Sequence, residues 1–173
     1  MYRVLSLLTL SMTVLLPQPG GAEEFLPTPY TADQIGDAWR EGYEMTMKVW
    51  TPAREIVSRT TVEKWSRQEI TTSEQELDAS GAPAGDKSAG FSSWEDLRDH
   101  ARFPTSTTSR QRESRQTVLG DLDGWLYTVK GEGSSVSEFF FADNFPGPPV
   151  FFSQTKDGSV VFRAETIEIK PAP

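Results

Sequence analysis

The only histidine of the chain, His100, is the first candidate for catalysis. Asp96 lies four residues before it and would orient its ring, and a distant serine would complete a Ser-His-Asp triad. The chain contains no G-x-S-x-G motif, which marks a strand-to-helix nucleophile turn. On its predicted helix, His100 also lies outside the apolar stripe formed by Trp94, Leu97 and Ala101. We therefore interpret His100 as a surface residue.

Two pairs of carboxylates offer chemistry that needs no histidine. Asp121 and Asp123 in GDLDGW are similar to a fragment of a calcium loop, but the other ligands and the terminal glutamate are missing. DLDG is therefore interpreted as a turn before a strand. Glu74 and Glu76 alternate onto one face of a strand, as two acids for glycoside hydrolysis would, but any acidic protein offers such pairs. A carboxylate hydrolase is retained as a third alternative.

Arginines cluster in the segment TSTTSRQRESRQT. In an extended strand, Arg110 and Arg112 share one face and Arg115 lies on the other. The cluster is either a phosphate-binding stripe or a solvated edge strand whose charges prevent sheet-to-sheet pairing. We favour the edge strand.

The first twenty-two residues predict an export signal. Arg3 supplies the positive start, Val4 to Leu16 form the apolar region, and Pro17 and Pro19 precede a small-residue cleavage site that ends at Ala22. The apolar run is shorter than the ~20 residues of a membrane span. We expect cleavage near Ala22 and a periplasmic or extracellular location, with an uncut N-terminal anchor as the alternative.

Residues 23–173 are then expected to form one β-rich domain. Without Arg3, 16 basic residues stand against 25 acidic ones, a net charge of about −9, which disfavours nucleic acid and anionic lipid as partners. The chain has no cysteine, so we expect no disulfide, no thiol chemistry and, with one imidazole, no histidine- or thiol-based metal site or cofactor.

Two short helices are predicted. Thr31 and Gln34 fit a capping box for the first, with Tyr30 and Ile35 placed as a hydrophobic staple. The second is SSWEDLRDHARF, in which Ser92 and Glu95 are the predicted capping box, the stripe named above is buried, and Pro104 ends the helix.

Period-two patterns predict seven or eight strands. The clearest are YEMTMKVW, DGWLYTVKGEG and the terminal hairpin, in which Asp157 and Gly158 supply a tight turn. ASGAPAGDKSAG, residues 79–90, is predicted to be a loop. The fold class is α+β: a single curved antiparallel sheet, similar to a half-barrel, with two short helices packed on it.

The segment EFFFADNFPGPPVFF holds six of the ten phenylalanines. In a strand, Phe139 and Phe141 point to one face and Phe140 to the other. Either both faces of the sheet are covered, or Phe140 lines a concave apolar surface; we favour the covered faces. Pro148 and Pro149 end the strand pairing here.

These motifs also carry a resemblance. SWEDLRDHARFP, LDGWLYTV and FFFADNFPGPPVFF resemble a group of uncharacterised secreted bacterial proteins with a W-x-Y-x-V strand and an A-x-x-x-PGPPV motif. The strand-rich plan is similar to the periplasmic lipoprotein-carrier superfamily, which implies a half-barrel whose concave side is closed by helices. The resemblance implies no catalytic residues.

We therefore predict a monomeric, exported, non-catalytic module that binds a lipid-like or other hydrophobic ligand in an apolar groove. The alternative is a protein-interaction or structural component of the cell envelope, in which the strand around residues 105–116 pairs with another protein. The predicted ligand-binding residues are Trp125, Tyr127, Phe139, Phe141, Phe145 and Pro146, with the prolines up to Pro149 shaping the rim.

Overall fold

The computed structural model describes residues 23–173, so the predicted export signal lies outside the described residues and stays a prediction. The described part of the chain contains two helices and nine strands. The helices are α1 (Ala32–Ala38) and α2 (Trp94–Asp99). The strands are β1 (Glu44–Trp50), β2 (Glu55–Trp65), β3 (Glu69–Leu77), β4 (Ser88–Ser93), β5 (Thr108–Thr117), β6 (Gly120–Lys130), β7 (Val136–Ala142), β8 (Phe151–Lys156) and β9 (Ser159–Lys170).

All nine strands form one antiparallel sheet in the order β4-β3-β2-β1-β9-β8-β7-β6-β5. β1 and β9 pair in the middle, while β4 and β5 are the two edges, so the sheet does not close into a barrel. Register shifts at Thr46/Met47, Val62/Lys64 and Gln154/Thr155 mark irregularities that bend and twist strands. The predicted α+β class, with one curved antiparallel sheet and two short helices, is confirmed.

Both helices pack on one side of the sheet, which we call the helix-bearing face. The predicted capping box at the start of α1 is confirmed, because the Thr31 hydroxyl accepts from the Gln34 N–H and the Gln34 side chain accepts from the Thr31 N–H. The helices bury their apolar side chains against the sheet. This core contains Tyr30, Ile35, Trp39, Tyr43, Met45, Val62, Ile70, Trp94, Ala101, Phe103, Tyr127 and Phe141.

The second face of the sheet has a smaller core. Phe140 is fully buried there, with Leu122, Leu126, Ala142 and Val150. Phe145, in the turn after β7, packs against this cluster. The Val150 N–H donates to the Phe140 carbonyl at 2.9 Å and so continues the pairing of β7 with the chain that leads into β8. Both faces are therefore covered around Phe140, as favoured from the sequence.

Two local predictions were wrong. The capping box of α2 is Ser93 with Asp96, not Ser92 with Glu95, because Ser92 still pairs with Ile70 in the sheet. The loop predicted for residues 79–90 ends too late, since β4 begins at Ser88. The sequence SAGFSS has no apolar alternation that would reveal a strand; its pairing with β3 places it in the sheet.

Candidate binding surface

The structure brings together four of the six residues predicted to bind an apolar ligand. Trp125 is opposite Phe141, and Tyr127 is opposite Phe139, in the pairing of β6 with β7. Phe145 instead packs into the core of the second face. The carbonyl of Pro146 accepts a hydrogen bond from the Trp39 indole N–H at 3.0 Å. The six residues thus form no continuous lining.

Tyr127 and Phe141 are buried in the core and do not contribute to the protein surface. Their exposed fractions are 0 % and 3 %, and their rings meet edge-to-face at 5.5 Å. The Tyr127 hydroxyl donates to the Pro27 carbonyl at 2.6 Å, which ties the N-terminal lead-in, residues 23–29, to this ring. Burial raises the pKa of Tyr127. The lead-in and the neighbouring rings of Tyr30 and Phe103 therefore hold Tyr127 and Phe141 inside the core.

Trp125 is covered by arginine. The Arg110 guanidinium lies 3.5 Å from the Trp125 ring centroid and that of Arg112 lies 4.9 Å from it, distances at which a cation is attracted to an aromatic face. Arg112 also donates two hydrogen bonds to Asp143, at 2.8 and 2.6 Å, and these hold the pKa of the Asp143 carboxyl below its usual range. Arg115 lies on the second face, over Phe151. The three arginines serve packing and ion pairs in β5, which is an edge strand as predicted.

Three half-buried phenylalanines on the helix-bearing face contact one another and form a contiguous apolar surface, here called the aromatic row: Phe139, Phe152 and Phe162. Phe139 and Phe152 stack at 4.5 Å with ring planes 5° apart, and Phe162 follows at 5.0 Å from Phe152. The row crosses β7, β8 and β9 and begins beside the buried ring of Phe103, 4.9 Å from Phe139.

The sequence predicted only Phe139 of this row. Phe152 and Phe162 flank the Asp157–Gly158 turn. A regular register counted back from that turn places Phe162 opposite Ser153, on the other face from Phe152. The register shift between Gln154 and Thr155 brings Phe162 opposite Gln154 instead, and therefore onto the face of Phe152. No pattern in the sequence marks this shift.

A concavity of about 440 Å³ lies beside α1. Its walls include Asp33, Asp37, Arg40 and Arg67 around the rings of Trp65 and Trp94. The Trp65 indole N–H donates to the Gly36 carbonyl at 2.8 Å, and the Arg40 guanidinium lies 4.0 Å from the Trp65 ring centroid. This cleft is therefore lined by charged side chains around a hydrogen-bonded Trp65, whereas the aromatic row is apolar.

The residues considered for catalysis do not converge. His100 is exposed at the end of α2, and the Asp96 carboxylate accepts hydrogen bonds from Ser93 rather than orienting the imidazole. The turn predicted at DLDG was wrong, since Asp121 and Asp123 lie inside β6, paired with β5. Among residues 23–173, no three histidine, cysteine or acidic side chains are grouped so that they could hold a metal ion.

Within the same residues, neither helix has the length and apolar character needed to cross a membrane.

No protein-family model matches the chain, and no curated protein sequence is significantly similar to it. Solved structures show the same fold. MucB matches with a TM-score of 0.54 and 11 % identity over 82 % of this chain, and MucB in complex with MucA(peri) matches with 0.56 and 12 %. An uncharacterised conserved protein from Thermus thermophilus matches with 0.51 and 14 % over 81 % of this chain and 84 % of its own length. The matched region is a little over half of the MucB chains, 58 % and 55 %.

Proposed function

We propose that this chain is an exported, non-catalytic binding protein of the cell envelope, and that it holds a protein partner on the aromatic row. The observation that carries the proposal is the row itself: three contiguous rings remain partly exposed on the helix-bearing face and contact one another across β7, β8 and β9. Stacked aromatic rings offer large contact area at low cost in conformational entropy, as residues that dominate protein interfaces do.

The fold likeness supports a protein partner. MucB has been solved both in complex with MucA(peri) and, from Pseudomonas aeruginosa, as the MucA/MucB complex. By analogy, a chain with this fold is suited to hold another polypeptide in the envelope, although fold by itself does not fix function. None of these solved structures is described as an enzyme, which supports the non-catalytic part of the proposal.

The second candidate is the hydrophobic ligand predicted from the sequence. The partly exposed stack of Phe139 on Phe152 favours it, since such rings bind acyl chains as well as apolar side chains. This candidate uses the row alone, because Tyr127 is bonded to Pro27 and Trp125 is covered by Arg110 and Arg112.

The test is photo-crosslinking in the exporting bacterium. The photoreactive amino acid p-benzoylphenylalanine replaces Phe162 in one variant and Val118 in a control; Val118 is an exposed apolar residue (64 %) in the turn between β5 and β6. A discrete adduct of protein size at position 162 and not at 118 supports the protein partner. An adduct of lipid mass at 162 supports the second candidate. Equal labelling at both positions, or none, contradicts a binding role for the row.

A further inference from the structure

The strand β4 is one of the two edges of the sheet, and most of its residues are exposed. It pairs with β3 on one side, and no strand among residues 23–173 lies on its other side. Ser88, Ala89, Gly90 and Phe91 are all exposed. An edge strand presents a row of unpaired N–H and C=O groups, which an extended segment of another chain can pair with.

The two edges of the sheet differ in how they are protected. β5 contains four charged residues, Arg110, Arg112, Glu113 and Arg115, the pattern by which proteins discourage pairing at an edge. β4 reads SAGFSS, with no charge and no proline. Its Phe91 is 68 % exposed, on the face opposite to the helices, where it pairs with Thr71. β4 is therefore open to pairing with another strand, and its exposed aromatic ring offers a contact to that strand's side chains.

The surroundings of β4 specify the charge of its partner. Between residues 69 and 99 the chain has eight acidic residues and only two basic ones, Lys87 and Arg98. Both bases are already engaged, Lys87 with Glu63 at 2.5 Å and Arg98 with Glu95 at 2.6 Å. Within the described chain, the β3 carboxylates form no ion pair; they are Glu69, Glu74 and Glu76.

Glu74 is directly opposite Ser88, on the helix-bearing face. A strand added beside β4 lies about 10 Å from β3, two strand spacings of about 4.8 Å each. Ser88 and Gly90 are small, so a long basic side chain on the added strand reaches over them towards Glu74. Alternate side chains of the same strand lie on the other face, beside Phe91.

We propose that β4 is extended by a strand from a partner protein in which lysine or arginine alternates with apolar residues. The basic side chains lie beside Glu74 and the apolar ones beside Phe91. A second copy of this chain fits less well. Pairing β4 of one copy with β4 of another brings the two sets of acids together. Pairing β4 with β5 of another copy offers Arg112 and Arg115, which are already bound to Asp143 and Glu113. The proposal rests on the proposed binding function but uses a different surface from the aromatic row.

The experiment uses protein purified from the export compartment and two synthetic probes, the acetylated and amidated peptides KVKVKV and EVEVEV. Backbone amide hydrogen exchange is followed residue by residue by NMR. The lysine peptide is expected to slow exchange of β4 amides by about tenfold or more, with no change in β5, and the glutamate peptide to have no effect. Added salt weakens the protection, because the charges lie at the surface.

Two variants test whether the peptide binds at the β4 edge. Phe91→Lys introduces a charge on β4 and is expected to abolish protection, whereas Val118→Lys, a change of the same type at a residue of similar exposure, retains it. Circular dichroism confirms that both variants fold. Absence of protection at 1 mM peptide, protection in β5, or retained protection in Phe91→Lys overturns the proposal. So does a dimer without peptide that Phe91→Lys dissociates, since a second copy then occupies β4. Crosslinking at Phe162 is independent of all these outcomes, so the two proposals fail separately.

Discussion

At the scale of single residues, Gly124 in β6 shows how closely the backbones of β6 and β7 approach each other. A Cβ at this position would lie 2.1 Å from the carbonyl oxygen of Phe141 and 2.9 Å from the Cα of Ala142. Backbone cannot move aside as a flexible side chain does. Gly124→Ala is therefore expected to lower the free energy of unfolding by about 3 kcal/mol or to prevent folding. Urea unfolding followed by tryptophan fluorescence measures the loss.

Gly131→Ala is the matched control for this change. A Cβ there meets only Ser135, at 3.3 Å from its Cβ, 3.4 Å from its hydroxyl oxygen and 3.7 Å from its carbonyl oxygen. We expect a change in unfolding free energy within about 1 kcal/mol. Similar losses at both positions would mean that close contact at Gly124 is not what excludes a side chain.

The ion pair between Arg112 and Asp143 gives a pH-dependent prediction. Arg112 holds the pKa of Asp143 below its usual value, so the pair stabilises the fold above the unfolded-state pKa of about 3.9 and is lost as pH falls through the folded-state pKa. Both side chains are more than 40 % exposed, which limits the effect to about 0.5 kcal/mol. Asp143→Asn should lower stability at pH 7 and not at pH 2.

The control for Asp143→Asn is Asp121→Asn, an exposed carboxylate in β6 with no ion pair among residues 23–173. Chemical denaturation at both pH values and in high salt gives the comparison. A loss of stability in Asp143→Asn that persists unchanged at pH 2 would show that the charge of Asp143 is not involved.

At the scale of elements, two neighbouring serines at the start of α2 have different roles. The Ser93 hydroxyl accepts from the Asp96 N–H at 3.0 Å and thereby caps the helix, while Ser92 belongs to β4. Ser93→Ala is expected to cost about 1 kcal/mol of stability. Ser92→Ala should be nearly neutral, and thermal unfolding of the two variants decides between the registers. A larger loss in Ser92→Ala would restore the capping box predicted from the sequence.

The same two elements show where prediction from sequence stops. A capping box at Ser92 and Glu95 obeys the same spacing rule as Ser93 and Asp96, so local chemistry alone does not choose between them. The choice is made by pairing of Ser92 with Ile70, a contact between residues distant in sequence. By contrast, α1 was predicted correctly because Thr31 with Gln34 and Tyr30 with Ile35 agree on one register.

At the scale of the whole molecule, the sheet was predictable because alternation in strands such as β1 and β6 reports burial on one face. The candidate site was predicted only in part. Alternation places Tyr127 and Phe141 on the helix-bearing face but does not reveal that the lead-in covers Tyr127 through Pro27. It also does not reveal that Phe152 and Phe162 join Phe139 across three strands. Which side chains are covered, and which rings from different strands touch, depends on the complete fold.

Alkaline unfolding tests this coverage over the whole molecule. Residues 23–173 contain three tyrosines, Tyr30, Tyr43 and Tyr127, and burial raises the pKa of each, that of Tyr43 to about 12. Because these folded-state pKa values exceed the unfolded value of about 10, the neutral phenols stabilise the fold below pH 10 and this contribution is lost as pH rises through the folded-state values. In protein lacking residues 1–22, phenolate absorbance at 295 nm should therefore rise together with the loss of circular dichroism. Tyr43→Phe should move the transition to higher pH, since it removes one of the protons that the unfolded state releases. A phenol that titrates near pH 10 while the circular dichroism is unchanged would show that the structure leaves that ring open to water.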